Sequence, residues 1–281
     1  MDIKESTKLI LGYLVRLLPL SWLKWLVQSN LSPNLRNLFR LGLRDRDVFI
    51  SEGVAAGLTF NAGKTNIDAV FGKYEPPLQQ AFFNHLKPGD VVYDIGANAG
   101  FFTVIAAKLV GSSGKVYAFE PAPENAAIIR RNLQQNNFSN VTVIEKAVSA
   151  STGTAELLLA KYAGGHTLAA VGTPPDLKGS LAVQLVSIDR LVEQQEIEPP
   201  QFVKIDVEGA EIEVLKGMSQ TIRQFKPTII YEVDDETQEA LLAKKQEIEL
   251  FLENLNYKTT LLDKSYSQTT WNVENSIAIP K

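Results

Sequence analysis

Asp94-Ile95-Gly96-Ala97-Asn98-Ala99-Gly100 is the stretch that decides how this chain folds. An apolar run, Val91-Val92-Tyr93, precedes it, and Phe101-Phe102-Thr103-Val104-Ile105-Ala106-Ala107 follows as the opening of a helix. Strand, glycine-rich turn and helix in that order form a nucleotide-cofactor site, because turn glycines let the backbone approach a ligand closely. A dinucleotide fold uses three glycines so that a pyrophosphate can lie against the helix N-terminus. Here Asn98 stands in place of the middle glycine, and Asp94 puts a carboxylate at the strand end. That carboxylate would repel phosphate but suits a ligand carrying an ammonium group and a sulfonium. S-adenosylmethionine (SAM) is such a ligand, so Asp94, Gly96, Ala97, Asn98 and Gly100 are the first candidate cofactor-binding residues.

Val116-Tyr117-Ala118-Phe119-Glu120 reads as a second buried strand ending in an acid. Its distance from Asp94 leaves room for one crossover helix, which places Glu120 at the carboxyl edge of the neighbouring strand. Two oxygens there can accept both hydroxyls of a ribose, as an acid does in dehydrogenases. Glu120 therefore indicates a nucleoside ligand without choosing which. A nicotinamide-dependent dehydrogenase remains an alternative that Asp94 and Asn98 count against. A SAM-binding interaction protein without activity is a second one.

Further along comes Phe202-Val203-Lys204-Ile205-Asp206-Val207-Glu208-Gly209-Ala210-Glu211, with Ile212, Leu215 and Met218 following at helical spacing. Together with Tyr74-Glu75-Pro76, Asp94 to Gly100 and Phe119-Glu120-Pro121, this run resembles the FkbM family of SAM-dependent methyltransferases. The likeness extends over about residues 50 to 235, and Lys204 to Glu211 is its most discriminating piece. It implies a doubly wound, mostly parallel Rossmann-like methyltransferase sheet, SAM as cofactor, and a hydroxyl oxygen as methyl acceptor. It also implies that Glu75 faces the ammonium end of the cofactor. Glu145, at the end of the third strand, is where such a fold usually meets the adenine.

Composition fits one soluble catalytic domain. The chain has 281 residues, 45% hydrophobic and 21% charged, ordinary proportions for a globular protein. Without cysteine there are no disulfides, thiolate metal sites or cysteine nucleophiles. Two histidines, His85 and His166, cannot build a histidine-rich zinc centre. A net charge of −4 argues against nucleic acid as the partner. No apolar run reaches the roughly 18 residues of a membrane span. The expected location is the cytoplasm.

Charge is unevenly spread. Residues 1–46 hold eight bases and three acids, a balance of +5, which leaves −9 for the remainder of a chain at −4. The same segment concentrates Leu9, Ile10, Leu14, Leu17, Trp22, Leu23, Trp25 and Leu26. Pro19 should split it into two short helices. It reads as a helical appendage to a domain spanning residues 47–281. It either associates peripherally with the inner membrane surface or packs as core; the oligomeric state is not legible.

From Val48 short extended pieces separated by glycines suggest a small β element over 47–75. A helix is expected from Pro77 to before Pro88. Strand 91–94, helix 101–109, strand 115–119, helix 123–136 and strand 141–145 then alternate, which argues for a parallel sheet with helices on both faces. Thr154 to Leu159 and Val183 to Ile188 suggest an inserted hairpin. Lys161 to Ser180, rich in glycine and proline, reads as a structureless lid carrying His166. A strand from Thr228 to Glu232, a helix from Gln238 to Leu255, and strands 258–262 and 276–279 complete the pattern.

Methyl transfer from SAM to oxygen is an in-line displacement whose leaving group needs no acid. Alignment supplies roughly 7–11 kcal/mol of such a barrier, and a positioned base adds ~10²- to 10⁴-fold in rate. Candidates for that base, and for groups orienting it, are Asp206, Glu208, Glu232, Lys204 and His166. Lys204 and Asp206 share a strand face. The acids also admit a divalent cation such as Mg²⁺. Alternatively, Glu208 and Glu211 merely complement a helix N-terminus. The acceptor is expected to be a hydroxyl on a sugar, a glycan or a small natural product.

Overall fold

The glycine turn lies at the centre of a seven-stranded sheet in the computed structural model, which describes residues 14–63, 65–161, 165–265 and 272–281. Residues 14–16 are helical, and two helices follow, α1 (Leu20–Gln28) and α2 (Pro33–Leu41), with Pro19 capping the first and Pro33 opening the second. A proline lacks the N–H that a helix interior needs but not the one its first turn leaves unused, so Pro19 breaks the segment as the sequence predicts. Strands β1 (Val48–Phe49) and β2 (Thr59–Phe60) pair antiparallel, and a 3₁₀ turn (Ile67–Phe71) leads to α3 (Pro76–His85).

The alternating part follows as β3 (Val91–Ile95), α4 (Phe101–Val110), β4 (Lys115–Phe119), α5 (Pro123–Gln135) and β5 (Val141–Ile144). An insertion comes next: β6 (Ala147–Val148), β7 (Gly153–Ala160), β8 (Thr167–Leu168) and β9 (Leu177–Val186), then α6 (Ile188–Glu193). The chain returns with β10 (Phe202–Ile205), α7 (Glu211–Lys216), α8 (Ser219–Phe225), β11 (Thr228–Asp235), α9 (Gln238–Asn254), β12 (Tyr257–Leu261) and β13 (Asn272–Pro280). The large sheet has the order β12-β13-β11-β10-β3-β4-β5. Strands β11, β10, β3, β4 and β5 run parallel, and β13 and β12 complete the other side antiparallel. The order reverses between β3 and β10, and ligands of open α/β sheets bind beyond the strand ends at such a reversal.

Alternate residues of the inner strands serve opposite faces, as the pleat requires. Val92, Phe202 and Ile230 enter one apolar core, while Tyr93, Ile95, Val203, Ile205 and Tyr231 enter the other. The first core also takes in Val15, Leu23, Val27 and Leu43. Leu23 and Leu43 are fully buried, and burying such a side chain contributes ~1.5–3 kcal/mol. The start of the chain from Val15 onward is thus packed into the domain rather than standing apart from it. Arg131 pairs in a two-pronged fashion with Asp47, and Asn136 exchanges two hydrogen bonds with the backbone of Thr59, tying the small β element to α5.

The insertion departs from the sequence reading. The hairpin is longer, because β9 already begins at Leu177, and Ile188 opens a helix instead of ending a strand. Ile188 and Leu191, three apart, are both buried, the spacing of one helix face. Within the stretch expected to lack structure, Leu168 pairs with Leu157 across β8 and β7. That apolar cross-strand pair orders the segment where periodicity is too short to register. Residues 162–164 of that stretch lie outside the described residues.

Candidate active site

A cavity of about 380 Å³ opens where β3, β4, β10 and β11 end. Its lining includes six carboxylic acids, Glu75, Glu120, Asp206, Glu208, Glu232 and Asp234, against one lysine, Lys146. Such a concentration of one sign in a concave wall favours a cationic guest.

The floor is set by the glycine turn. Gly96 has φ +78°, and a Cβ added there would lie 1.7 Å from the Asp206 carbonyl oxygen. Only glycine lets the β3–α4 turn pass this close to the end of β10. Glu75, Asn98 and Glu208 also sit in left-handed backbone, at φ 46°, 53° and 54°, and all three line the cavity. Non-glycine residues hold that conformation at a cost of about 1–3 kcal/mol, and such strain gathers at functional sites.

Glu120 is held by the turn it faces. Its Oε2 accepts from the Asn98 N–H at 2.8 Å, and its Oε1 from the Ala122 N–H at 2.9 Å and Asn125 Nδ2 at 3.5 Å. Burial nevertheless pushes its pKa up to about 7 against those hydrogen bonds, which act to lower it. A ligand hydroxyl donating to the carboxylate would restore what desolvation removes.

Lys204 lies behind the cavity, 3% exposed. Its Nζ donates to Asp206 Oδ2 at 3.0 Å and stands 3.5 Å from Asp94 Oδ1 and 5.6 Å from the centre of the Phe102 ring. Burial alone would lower the ammonium's pKa; Asp206, Asp94 and Glu75 together outweigh it and raise it. Asp206 and Lys204 do share a face, and strand pairing adds Asp94, whose Cα is the direct partner of Lys204 between β3 and β10.

Asp94 is fully buried and does not line the cavity. It accepts from Thr103 Oγ1 at 2.5 Å, so its contacts here are with the protein. The side chain turns under α4 and fixes Lys204. Ala97 and Gly100 likewise stay out of this cavity; Gly100 caps α4 with φ +83°. Glu145 is also away from it, paired with Arg130 at 2.6 Å on the surface, while the neighbouring Lys146 and Ala147 line the wall.

Glu208 and Glu232 both carry raised pKa values, first by burial and then by Asp206, with Asp234 and Glu211 adding to Glu208 and Glu75 and Glu208 adding to Glu232. Glu232 accepts from Asn275 Nδ2 at 2.9 Å, its partner across β11 and β13. Glu211 does what a helix-start acid does: Oε1 accepts from the Gly209 N–H at 2.9 Å, and the carboxyl, pushed up to about 7 by burial, lies outside the cavity. His166 lines the cavity, but its Nδ1 accepts the Ala160 N–H at 3.1 Å. With Nδ1 accepting, the neutral ring carries its proton on Nε2 and presents a donor there. Among the described residues no three His, Asp or Glu side chains converge as metal ligands. With Lys204 already between Asp94 and Asp206, Mg²⁺ finds no ligand set here.

The family model described as "Methyltransferase FkbM domain" matches residues 94–259. This chain belongs to the FkbM methyltransferase family. It is 32% identical to hexuronic acid methyltransferase AglP of Haloferax volcanii, over 50% of this chain and 55% of that protein. It is 29% identical to 31-O-demethyl-FK506 methyltransferase FkbM of Streptomyces tacrolimicus, over 53% and 67%. Among solved structures, a methyltransferase FkbM from Methylobacillus flagellatus KT aligns at 16% identity with a TM-score of 0.46, over 91% of this chain and 57% of that one. The chain spans about half the length of the curated relatives it matches.

The matched FkbM domain begins at Asp94, so Tyr74 and Glu75 join the site from outside it. Sequence reasoning missed Asn125, Lys146, Asp234 and Asn275. Asp234 had a signal, since it stands two residues beyond Glu232 and a strand repeats its face at that spacing. Asn275 had none, because only the pairing of β13 with β11 brings it to Glu232.

Proposed function

We propose that this FkbM-family chain transfers the methyl group of SAM to a hydroxyl oxygen of a sugar, glycan or small natural product. The observation that carries the reading is the set of six acids lining one cavity at the sheet's reversal, a lining that favours a cationic guest. The residues fit SAM: Glu120 offers its carboxylate to the ribose hydroxyls, Gly96 and Asn98 give the backbone floor, and Glu75 with Asp206 faces the ammonium. Bound there, SAM supplies an electrophilic methyl carbon. Transfer of that methyl group to the acceptor oxygen, with the electron pair returning to sulfur, would leave a neutral thioether that needs no acid from the protein.

The acceptor's proton must go to the protein. Asp206 is committed to Lys204, and His166 presents a donor, so the role falls to Glu232, with Glu208 beside it. Burial and the neighbouring acids raise its pKa, and a cation beside it favours the ionised form, which can accept the proton. Asp94 and Lys204 act as positioning residues, and His166 donates toward the acceptor. The sugar acceptor is further supported by the likeness to the hexuronic acid methyltransferase.

Incubation with methyl-labelled SAM and a panel of uronic acid glycosides, neutral glycosides and cell extract tests this reading. Label transferred to oxygen, and slowed ~10²- to 10⁴-fold in Glu232→Gln with SAM affinity retained, is the expected result. Tight SAM binding without transfer to any acceptor would favour a binding protein. Single-turnover rates unchanged in Glu232→Gln would remove Glu232 as base.

A further inference from the structure

We propose that the first helices of this chain dock on an anionic lipid bilayer, with Trp22 and Trp25 seated among the headgroups. One face of α1 is accounted for by the core, since Leu23 and Val27 are buried. The other is not. Trp22 and Trp25, three residues apart and so adjacent on the helix surface, are 64% and 68% exposed. Just before α1, Leu14 and Leu17 are 55% and 71% exposed while Val15 between them is buried. Exposed large apolar side chains that adjoin, as Trp22 and Trp25 do, mark an interaction site, and tryptophan suits a water–lipid boundary because its ring is apolar and its N–H polar.

The charges choose the partner. Residues 1–46 carry +5 in a chain of −4. Lys24 and Arg46 donate only to backbone carbonyls, of Phe49 and of Arg16 and Leu18, so their charge is not neutralised. Arg44 is exposed and has no acid partner among the described residues. A second copy apposed through this face would bring like charges together, whereas an anionic bilayer attracts each base and accepts the tryptophans. No helix among the described residues is long and apolar enough to cross a membrane, so the contact is one of docking. An open groove along α2, lined by Asn34, Asn37, Arg40, Arg44 and Thr65-Asn66, shares those last two residues with the cleft beside Lys204 and Asp206.

Flotation of the full chain with vesicles tests the proposal independently of catalysis. The chain should rise with vesicles of phosphatidylcholine and phosphatidylglycerol in equal amounts, and stay behind with phosphatidylcholine alone. High salt should release it. Trp22→Ala/Trp25→Ala should lower the vesicle partition coefficient at least about tenfold, and Arg44→Glu at least about fivefold, with unchanged circular dichroism and unchanged SAM affinity. Equal recovery with both vesicle types, no recovery with either, or a tryptophan double variant that floats like the parent would each overturn it. So would sedimentation showing a dimer that the double variant dissolves, which would make the face a contact between copies.

Discussion

Replacing Glu120 by glutamine should make the ligand-free protein more stable at pH 8 while weakening SAM binding. The carboxyl is 5% exposed and its pKa is pushed up to about 7 from an ordinary 4.5. A raised carboxyl pKa means that the folded chain holds the proton more tightly than the unfolded one. Stability therefore falls as pH rises from about 4.5, and the loss is complete above about 7. That difference corresponds to roughly 3 kcal/mol. Glutamine carries no charge to desolvate, but its single oxygen cannot accept from both the Asn98 and Ala122 N–H groups, which costs about 1 kcal/mol. The net gain at pH 8 is about 2 kcal/mol, and below pH 4.5 the variant should be about 1 kcal/mol less stable than the parent. Urea unfolding across that pH range reads both signs. Calorimetry should show SAM affinity weakened about 10- to 100-fold, as expected for losing a charge-assisted hydrogen bond of ~1.5–3 kcal/mol. A stability difference that is the same at pH 4 and pH 8 would refute the desolvation reasoning.

Other outcomes follow from the same geometry. Gly96→Ala forces a Cβ to 1.7 Å from the Asp206 carbonyl, so thermal unfolding should shift down by at least about 1–3 kcal/mol and SAM binding should vanish; an alanine variant that binds normally would show that the turn can move. Lys204→Met leaves Asp94 and Asp206 without their buried cation and should cost about 3–5 kcal/mol, partly recovered by the further change Asp94→Asn, which a double-mutant cycle in urea measures. SAM binding should release protons, because a cation favours the ionised forms of Glu208 and Glu232, whose pKa values are raised; titration calorimetry in two buffers of different ionisation enthalpy reads the number, and Glu208→Gln/Glu232→Gln should reduce the release. Identical heats in both buffers for the parent would contradict the coupled-acid description.

Much of the fold was legible because it depends on local order. Asp94 to Gly100 had to be a turn between strand and helix, and Glu120 had to end the next strand, since glycine conformations and apolar periods are written along the chain. Lys204 and Asp206, two apart, had to share a face. The insertion was the exception: β8 is two residues long, and its half-buried Leu168 packs beside Leu157 across the hairpin. Residues 1–46 were also ambiguous as sequence, because the same leucines and tryptophans suit a core or a lipid surface. The structure divides them, with Leu23 and Val27 inside and Trp22 and Trp25 outside.

What the sequence by itself determined is the chemistry available at the sheet's centre: which acids, which lysine, which glycines. Only the tertiary structure decided what each one touches. Pairing of β3 with β10 made Asp94 the partner of Lys204, and burial under Thr103 sealed it there. Pairing of β13 with β11 delivered Asn275 to Glu232, and one backbone hydrogen bond from Ala160 left His166 presenting a donor. Charge and residue type are properties of the chain, but desolvation and hydrogen bonding are properties of neighbours, and neighbours distant in sequence are chosen by strand register.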